Sequence, residues 1–343
     1  MKEKEKSEAE EKEHAVEDAI LQLQKKYGKA AVLQMNEDVR FEVEAISTGC
    51  FSLDDVFDCG GMPRGRIIEL FGPESGGKST IATYLMAEVQ RQGGRAALID
   101  AEHAFDQEYS KRIGLDVTKL IVSQPDTLEE AIDVVSKLVA SQGVDIIVVD
   151  SVAAMVPKAE LEGDEMLKST MALQARLMGQ ALRILTGSVS KSNTIVIFIN
   201  QLREKIGVFY GQKEVTPGGK ALKFYASVRL EVKKGDKIEG KDKEQIGNEL
   251  RITVVKNKVG YPWKKTTLNL YYGSGIDLYT DVIDYGEKLR IITKTGHSYL
   301  YGDTKLGIGK DNAKIFLKNN NDIYEKIRNE IKGKESKERK NKK

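Results

Sequence analysis

With 343 residues, and 54 Lys and Arg against 52 Asp and Glu, the chain has room for one large α/β domain with small appendages. Its balanced charge excludes a wholly basic nucleic-acid coat, so any such site must be a local patch. The two cysteines, Cys50 and Cys59, lack metal-type spacing and partner histidines, and read as buried or free thiols in a reducing compartment. The N-terminus has no apolar signal core and no window approaches a membrane span, so the expected location is cytoplasmic, with no membrane partner.

In chain order, residues 1–13 are almost all charged and are expected to be disordered or a frayed helix end. Val16, Ile20, Leu23 and Tyr27 then place one apolar stripe on a charged helix. A stripe that narrow must bury against something, either its own core or a neighbouring subunit, and spacing does not choose between them. From Phe41 onward, β-like runs alternate with helical stretches, which predicts a wound α/β domain with a mainly parallel sheet. The core strands are expected at 66–71, 96–100, 120–123, 145–150 and 194–200, with further β-rich runs at 226–232 and 250–255. Thr127 and Glu130 form a capping box that starts the helix between the third and fourth strands. The implied domains are an N-terminal segment (1–40), the core (41–274), a small C-terminal lobe (275–331) that ends in a helix near 322–331, and a basic disordered tail (332–343). The sequence holds no repeat of the solenoid type.

The run Gly72-Pro73-Glu74-Ser75-Gly76-Gly77-Lys78-Ser79-Thr80 joins an apolar strand to a helix through the GxxxxGK[S/T] pattern of a phosphate loop, which implies work on ATP or GTP. Glycines let backbone N–H groups converge on phosphate oxygens, Lys78 adds a positive charge at the β- and γ-phosphates, and Ser79 offers a hydroxyl to Mg²⁺. The helix that follows turns its N-terminus to the same anion.

Two further strands end in acids. Ile146 to Asp150 has the form of a Walker B strand whose carboxylate would hold Mg²⁺ directly or through water. Ala97-Leu98-Ile99-Asp100-Ala101-Glu102-His103 would bring Glu102 beside the phosphate loop, because open parallel sheets bind ligands at the carboxyl ends of their strands. Glu102 is therefore the candidate base, with a surface acid that caps the next helix as the alternative; His103 reads as structural. Asn200-Gln201 closes another core strand, where an amide can either sense the γ-phosphate or simply cap the strand.

Residues 201–223 carry Arg203, Lys205, Lys213, Lys220 and Lys223 around Phe209 and Tyr210, with four glycines. Basic side chains interleaved with aromatic ones suit single-stranded nucleic acid, and the bland reading is a solvated loop. Residues 158–170, which mix Lys158 and Lys168 with Met166 and several acids, give a weaker signal.

Six segments, GPESGGKST, IDAEHAFD, DIIVVDSVAA, IFINQLREKIGV, PGGKALKFYASVRLEV and VVKNKVG, closely resemble the bacterial RecA recombinase family, in the right order and at the right intervals from about Lys25 to Ile331. The resemblance implies a RecA-type P-loop NTPase core and an ATP-dependent filament on single-stranded DNA that pairs it with a homologous duplex and exchanges strands. It further implies that Lys78 and Ser79 hold phosphate and Mg²⁺, Asp150 is the Walker B acid, Glu102 activates water and Gln201 senses the γ-phosphate. Asp106 and Tyr109 match the family's adenine contacts. Lys256 and Lys258 match a pair that reaches the neighbouring subunit's nucleotide, and Phe224 would carry the signal between subunits. The segments 160–176 and 201–219 match the two DNA-contacting loops, which assigns DNA contacts to Arg176, Arg203, Lys205, Ile206, Gly207, Val208, Phe209, Gly218 and Gly219. The N-terminal helix would pack on the next protomer, and a LexA-type SOS repressor is an implied partner through stimulated self-cleavage.

Three departures qualify this. The first DNA loop reads EGDEMLKST over 162–170, unlike the family's usual run, so individual contacts there are not carried over. Gly76 replaces a commoner serine, a small change for phosphate binding. The tail is basic where many relatives have an acidic one, which removes the basis for self-inhibition by a negative tail. A small-molecule or nucleotide kinase would need a lid with catalytic arginines, for which 201–223 has too many glycines and aromatics. A hexameric helicase shares the core and is separated by filaments rather than rings, and a nucleotide-switched scaffold can coexist with the recombinase reading.

Overall fold

The computed structural model describes residues 2–28, 32, 43–161, 170–204, 214–215, 217–240 and 242–341. Residues 1–42 form a unit of their own. Within it a helix runs over Lys2–Tyr27, so the charged stretch is helical and not disordered; Glu and Lys are good helix formers that can pair one turn apart. Its stripe stays open, with Val16 58% exposed.

The second unit is built on a nine-stranded sheet with spatial order Gly275–Ile276, Lys265–Tyr271, Gln245–Asn257, Val228–Glu239, Ile67–Gly72, Ile195–Gln201, Ile146–Asp150, Ala96–Asp100 and Ile121–Ser123. From Val228–Glu239 to Ile121–Ser123 every pairing is parallel, and the first four strands form an antiparallel meander. Successive side chains alternate between two cores. Ile68, Leu70, Leu98, Ile146, Val148 and Ile197 pack under the helix Lys78–Arg91. Ile67, Ile99, Ile147, Val149, Val196 and Phe198 pack under the helices Leu128–Ala140 and Thr170–Ser192. Burial on both faces explains why these strands read as unbroken apolar runs. At Leu128–Ala140 the Thr127 hydroxyl accepts from Glu130 N at 3.1 Å as expected, whereas the Glu130 carboxylate reaches Asp126 N and not the cap residue.

The last strand of the sheet, Gly275–Ile276, belongs to the core, so the lobe begins just after it and not at 275. It comprises the helix Leu278–Lys288, the three-stranded sheet Ile292–Thr295, Ser298–Tyr301 and Thr304–Ile308, and the helices Lys310–Asn319 and Asn321–Asn341. Val282, Ile283, Leu306, Leu317, Ile327 and Ile331 form its core together with Phe51. The tail expected to be disordered from 332 continues this last helix to Asn341. No aliphatic residue follows Ile331, yet the next turn is also held: Glu335 is buried and Lys334 Nζ donates to Leu289 O at 2.6 Å. Among the described residues no helix is long and apolar enough to cross a membrane.

Candidate active site

The phosphate loop leaves the central strand Ile67–Gly72 and enters the helix Lys78–Arg91. Glycine is required at both ends of it. A Cβ on Gly72 would lie 2.0 Å from Val232 O, and Gly77 sits at φ +87° with its Cβ position 2.8 Å from Leu250, a backbone that L side chains rarely adopt. Ser75 also has positive φ (+53°). The Lys78 side chain is buried at 6% exposure and donates from Nζ to Gly72 O at 3.1 Å and Pro73 O at 2.6 Å. Burial pulls its pKa down, against the opposing pull of Asp150, Glu102 and Glu74. A cation held this way at the mouth of a helix N-terminus suits a phosphate.

Asp150 ends its strand beside this loop. Burial pushes its carboxyl up to about 6; the Ser79 hydroxyl, which donates to it, lowers it, while the Glu102 and Asp100 charges raise it and Lys78 lowers it. Ser79 and Asp150 thus form a pair of oxygens able to serve a Mg²⁺ that arrives with a nucleotide, since that ion takes few protein ligands and keeps its phosphates and waters.

The structure brings Glu102 and Gln201 together. Glu102 Oε1 accepts from Gln201 Nε2 at 3.1 Å and from Ser151 Oγ at 2.5 Å. Glu102 caps no helix; that role falls to Asp106, whose carboxylate accepts from Tyr109 N at 2.9 Å at the start of Gln107–Ile113. Two side chains that no motif singles out hold Glu102 in place. Ser151 is one. Asp100 is the other: it is buried and accepts from Ala104 N and Phe105 N, each at 3.2 Å, and from Gln124 Nε2 at 2.9 Å, which fixes the turn that carries Glu102. The sequence carries the signal as two acids, Asp100 and Glu102, in one strand-end run.

A cavity of about 140 Å³ between loop and turn is lined by Ser79, Thr80, Glu102, Asp106, Tyr109 and Asp150. A second, of about 350 Å³, runs along the outer side of the loop over Gly77, Lys78, Thr80, Tyr109, Asn248 and Tyr272. Tyr272 is 53% exposed, with its hydroxyl held by Gln245 Nε2 at 2.7 Å and Asn248 Nδ2 at 2.5 Å. It faces the same groove as Tyr109, and no motif announced it. Gly76 and Thr80 line the groove, while Glu74 contributes charge near Lys78.

Lys256 and Lys258 are not brought to Lys78. Their ammonium groups rest on the last carbonyls of the helix Ala221–Tyr225: Lys256 Nζ donates to Lys223 O at 2.7 Å and Phe224 O at 2.9 Å, and Lys258 Nζ to Phe224 O at 3.4 Å. Phe224 itself is 69% exposed.

The segment 201–219 starts at the site. Leu202 N donates to Gly72 O at 3.2 Å, and Arg203–Glu204 pairs antiparallel with Glu214–Val215. Gly218 and Gly219 adopt positive φ (+78° and +74°), where a Cβ would strike Val152 and Ala175 respectively. Gly218 and Gly219 therefore pack against Val152 and against Ala175, the neighbour of the exposed Arg176. Lys205, Ile206, Gly207, Val208 and Phe209, and 162–169 of the first loop, lie outside the described residues.

A family model described as the RecA N-terminal domain matches residues 14–277, and one described as the RecA C-terminal domain matches 280–335. The Protein RecA of Clostridium novyi is 53% identical over 324 residues, covering 94% of this chain and 92% of its own length. That of Clostridium acetobutylicum is 52% identical with the same coverage. Its counterpart in Caldanaerobacter subterraneus is 52% identical over 321 residues, with 94% and 93% covered. The crystal structure of the RadB recombinase shares the fold, with a TM-score of 0.50 at 21% identity over 67% of this chain and 98% of that chain. On these matches, which run through both the phosphate-loop core and the small lobe, the chain belongs to the RecA family, DNA-dependent ATPases of recombination and repair built on a P-loop NTPase core.

Proposed function

We propose that this protein assembles as a helical filament on single-stranded DNA in the cytoplasm, pairs that strand with a homologous duplex and exchanges strands at the expense of ATP. The observation that carries the reading is the Gln201 to Glu102 hydrogen bond, 3.1 Å long, at the foot of the segment 201–219. A candidate base and a candidate phosphate sensor share one proton donor and acceptor, and the sensor's next residues lead into the DNA segment.

When bound, Mg²⁺–ATP supplies the phosphoanhydride to be cleaved and the ion that neutralises its charge. Lys78 and the loop N–H groups from Gly72 to Thr80 cradle the phosphates, Ser79 and Asp150 serve the ion, and Tyr109 and Tyr272 offer two aromatic faces, with Asp106, to the base. Glu102, oriented by Ser151, accepts a proton from the attacking water. Gln201 exchanges its bond to Glu102 for one to the γ-phosphate and transmits the change to 201–219, where Arg203, Lys205, Ile206, Gly207, Val208, Phe209, Gly218 and Gly219, with Arg176, engage DNA. Lys256 and Lys258 leave the Phe224 carbonyl for the neighbouring subunit's nucleotide, so hydrolysis depends on assembly. Exposure of Val16 on the N-terminal helix fits its docking on the next protomer. In filament form the protein also promotes self-cleavage of a LexA-type repressor; incubation of such a repressor with filaments and ATP tests this directly.

The primary test is ATP hydrolysis with and without single-stranded DNA. Hydrolysis is expected to rise by an order of magnitude or more with DNA, with filaments and not rings in electron micrographs; DNA-independent turnover or closed rings would remove the reading and favour a kinase or a hexameric helicase. The basic end makes a separate prediction. Because Lys334 and Glu335 belong to the lobe, truncation should begin after Lys337, removing ERKNKK. The truncated protein is expected to melt like the full chain but to bind duplex DNA more weakly, with its log-affinity slope against log-salt shallower by about 1 to 3, since fewer phosphates are neutralised. Equal slopes in a salt titration would assign the tail no role on DNA.

A further inference from the structure

One row of charges crosses three neighbouring strands, and on the first two of them it lies between apolar rows. Glu69 lies opposite Arg229 in the parallel pairing, flanked by Ile68 with Val228 and Leu70 with Leu230. Arg229 in turn lies opposite Lys256 in the antiparallel pairing. Glu69 is 0% exposed, and one of its carboxylate oxygens accepts from Arg229 Nε. The other accepts from Asn200 Nδ2 at 3.2 Å, and the same nitrogen donates to Pro217 O, also at 3.2 Å. Asn200 Oδ1 accepts from Gln201 N at 3.0 Å. The guanidinium of Arg229 stacks on Phe71, 4.4 Å from the ring centre, one residue before the phosphate loop. The contacts are therefore continuous from the backbone of Gln201, and from the C-terminal root of the segment 201–219, to Arg229 and the strand position of Lys256.

Stability does not account for this row. Two ions taken out of water are costly, and well-packed apolar side chains of similar volume are commonly as stable or more so. What the charges do provide is a field on Lys256. Burial first, then Lys258 and Arg229, pull that lysine down to about 8, and Glu69 opposes them.

We infer that Asn200, Glu69 and Arg229 form a positioning relay, with Glu69 at its centre, that ties each subunit's own phosphate-sensing strand end to the Lys256 it offers to its neighbour. The inference rests on the reading of Lys256 as a residue that acts on the adjacent subunit's nucleotide. The bistable element is the Lys256 ammonium, seated on the Lys223 and Phe224 carbonyls in one state and on a neighbour's phosphate in the other. Movement of Gln201 toward a γ-phosphate draws on Asn200, which divides its amide between Glu69 and Pro217. That changes how tightly Glu69 holds Arg229, and so how strongly Arg229 repels Lys256 from its seat. Nucleotide state then passes along the filament in one direction, through the interior of each subunit.

The test is Glu69→Gln, which keeps the acceptor for Asn200 and removes only the charge. Binding of a fluorescent ATP analogue without DNA is expected to stay within about twofold, while kcat for DNA-dependent hydrolysis falls about tenfold. The Hill coefficient for ATP is expected to fall from above 1 to about 1. Where the single variant fails to fold, Glu69→Gln with Arg229→Gln replaces the ion pair by a neutral hydrogen-bonded one and is expected to give the same kinetics. Unchanged kcat and Hill coefficient in the folded variant overturn the relay, as does a fall in kcat that merely tracks lost folded protein with cooperativity intact. Lys256→Ala separates the two levels. If that variant hydrolyses ATP normally on DNA, the reading of Lys256 itself fails; if it is inactive while Glu69→Gln behaves like the parent, only the relay fails.

Discussion

Lys78→Ala is expected to reduce DNA-dependent ATP hydrolysis by at least about 10²- to 10³-fold, the cost of removing a preorganised cationic donor from a charged transition state, and to abolish strand exchange. The argument is local. Lys78 is held by Gly72 O and Pro73 O at the mouth of the helix it begins, so its charge stands where the β- and γ-phosphates must lie if Ser79 and Asp150 serve the ion. The fold is expected to survive. Gly72 O retains Leu202 N as a donor at 3.2 Å, and Pro73 is exposed, so its carbonyl turns to water; the loss is expected to cost about 1 to 3 kcal/mol. Steady-state hydrolysis on DNA, beside a thermal melt of the same preparation, checks both halves. Normal turnover in the alanine variant would remove the phosphate-loop assignment; a collapsed melt would show the loss to be structural.

The sequence disclosed the parts of this molecule whose chemistry is local. The central strands were legible because each is buried on two faces, so Ile146 to Val149 could only be apolar; the edge strand Ile121–Ser123, with Ile121 39% and Val122 43% exposed, lies outside that rule. The phosphate loop was legible because Gly72 and Gly77 answer steric demands that no other residue meets. The end of the chain was misread because Lys332 to Asn341 has no aliphatic stripe; what continues that helix is a buried Glu335 and a Lys334 that reaches Leu289 O, contacts set by tertiary packing and not by periodicity. Tyr272 and Asn248 stayed hidden for the same reason, since they reach the groove beside Lys78 only once the antiparallel meander extends the parallel strands in one sheet. Nor does spacing reveal that Glu69, in an otherwise apolar strand, is opposite Arg229, which lies 160 residues further on.

Glu102→Gln is expected to separate binding from chemistry. Glutamine keeps an acceptor oxygen for Ser151 Oγ and Gln201 Nε2, which now meet Glu102 at 2.5 Å and 3.1 Å, and Asp100 continues to hold the turn through Ala104 N and Phe105 N. The geometry of the site and nucleotide affinity should therefore change little. What disappears is the basic carboxylate, and general-base catalysis is commonly a factor of about 10² to 10⁴. Hydrolysis on single-stranded DNA is expected to fall by that factor while filaments, once formed with ATP, persist for longer. Single-turnover hydrolysis beside filament lifetimes from light scattering checks this. Unaltered hydrolysis would take the base role from Glu102, and lost ATP binding would make it a structural partner of Ser151 instead. Loss of the charge also bears on Gln201, whose amide would have a weaker acceptor to leave. The variant should thus reach the phosphate-engaged state more readily than the parent, showing tighter DNA binding with ATP despite slower turnover, a combination that a merely damaged site would not produce.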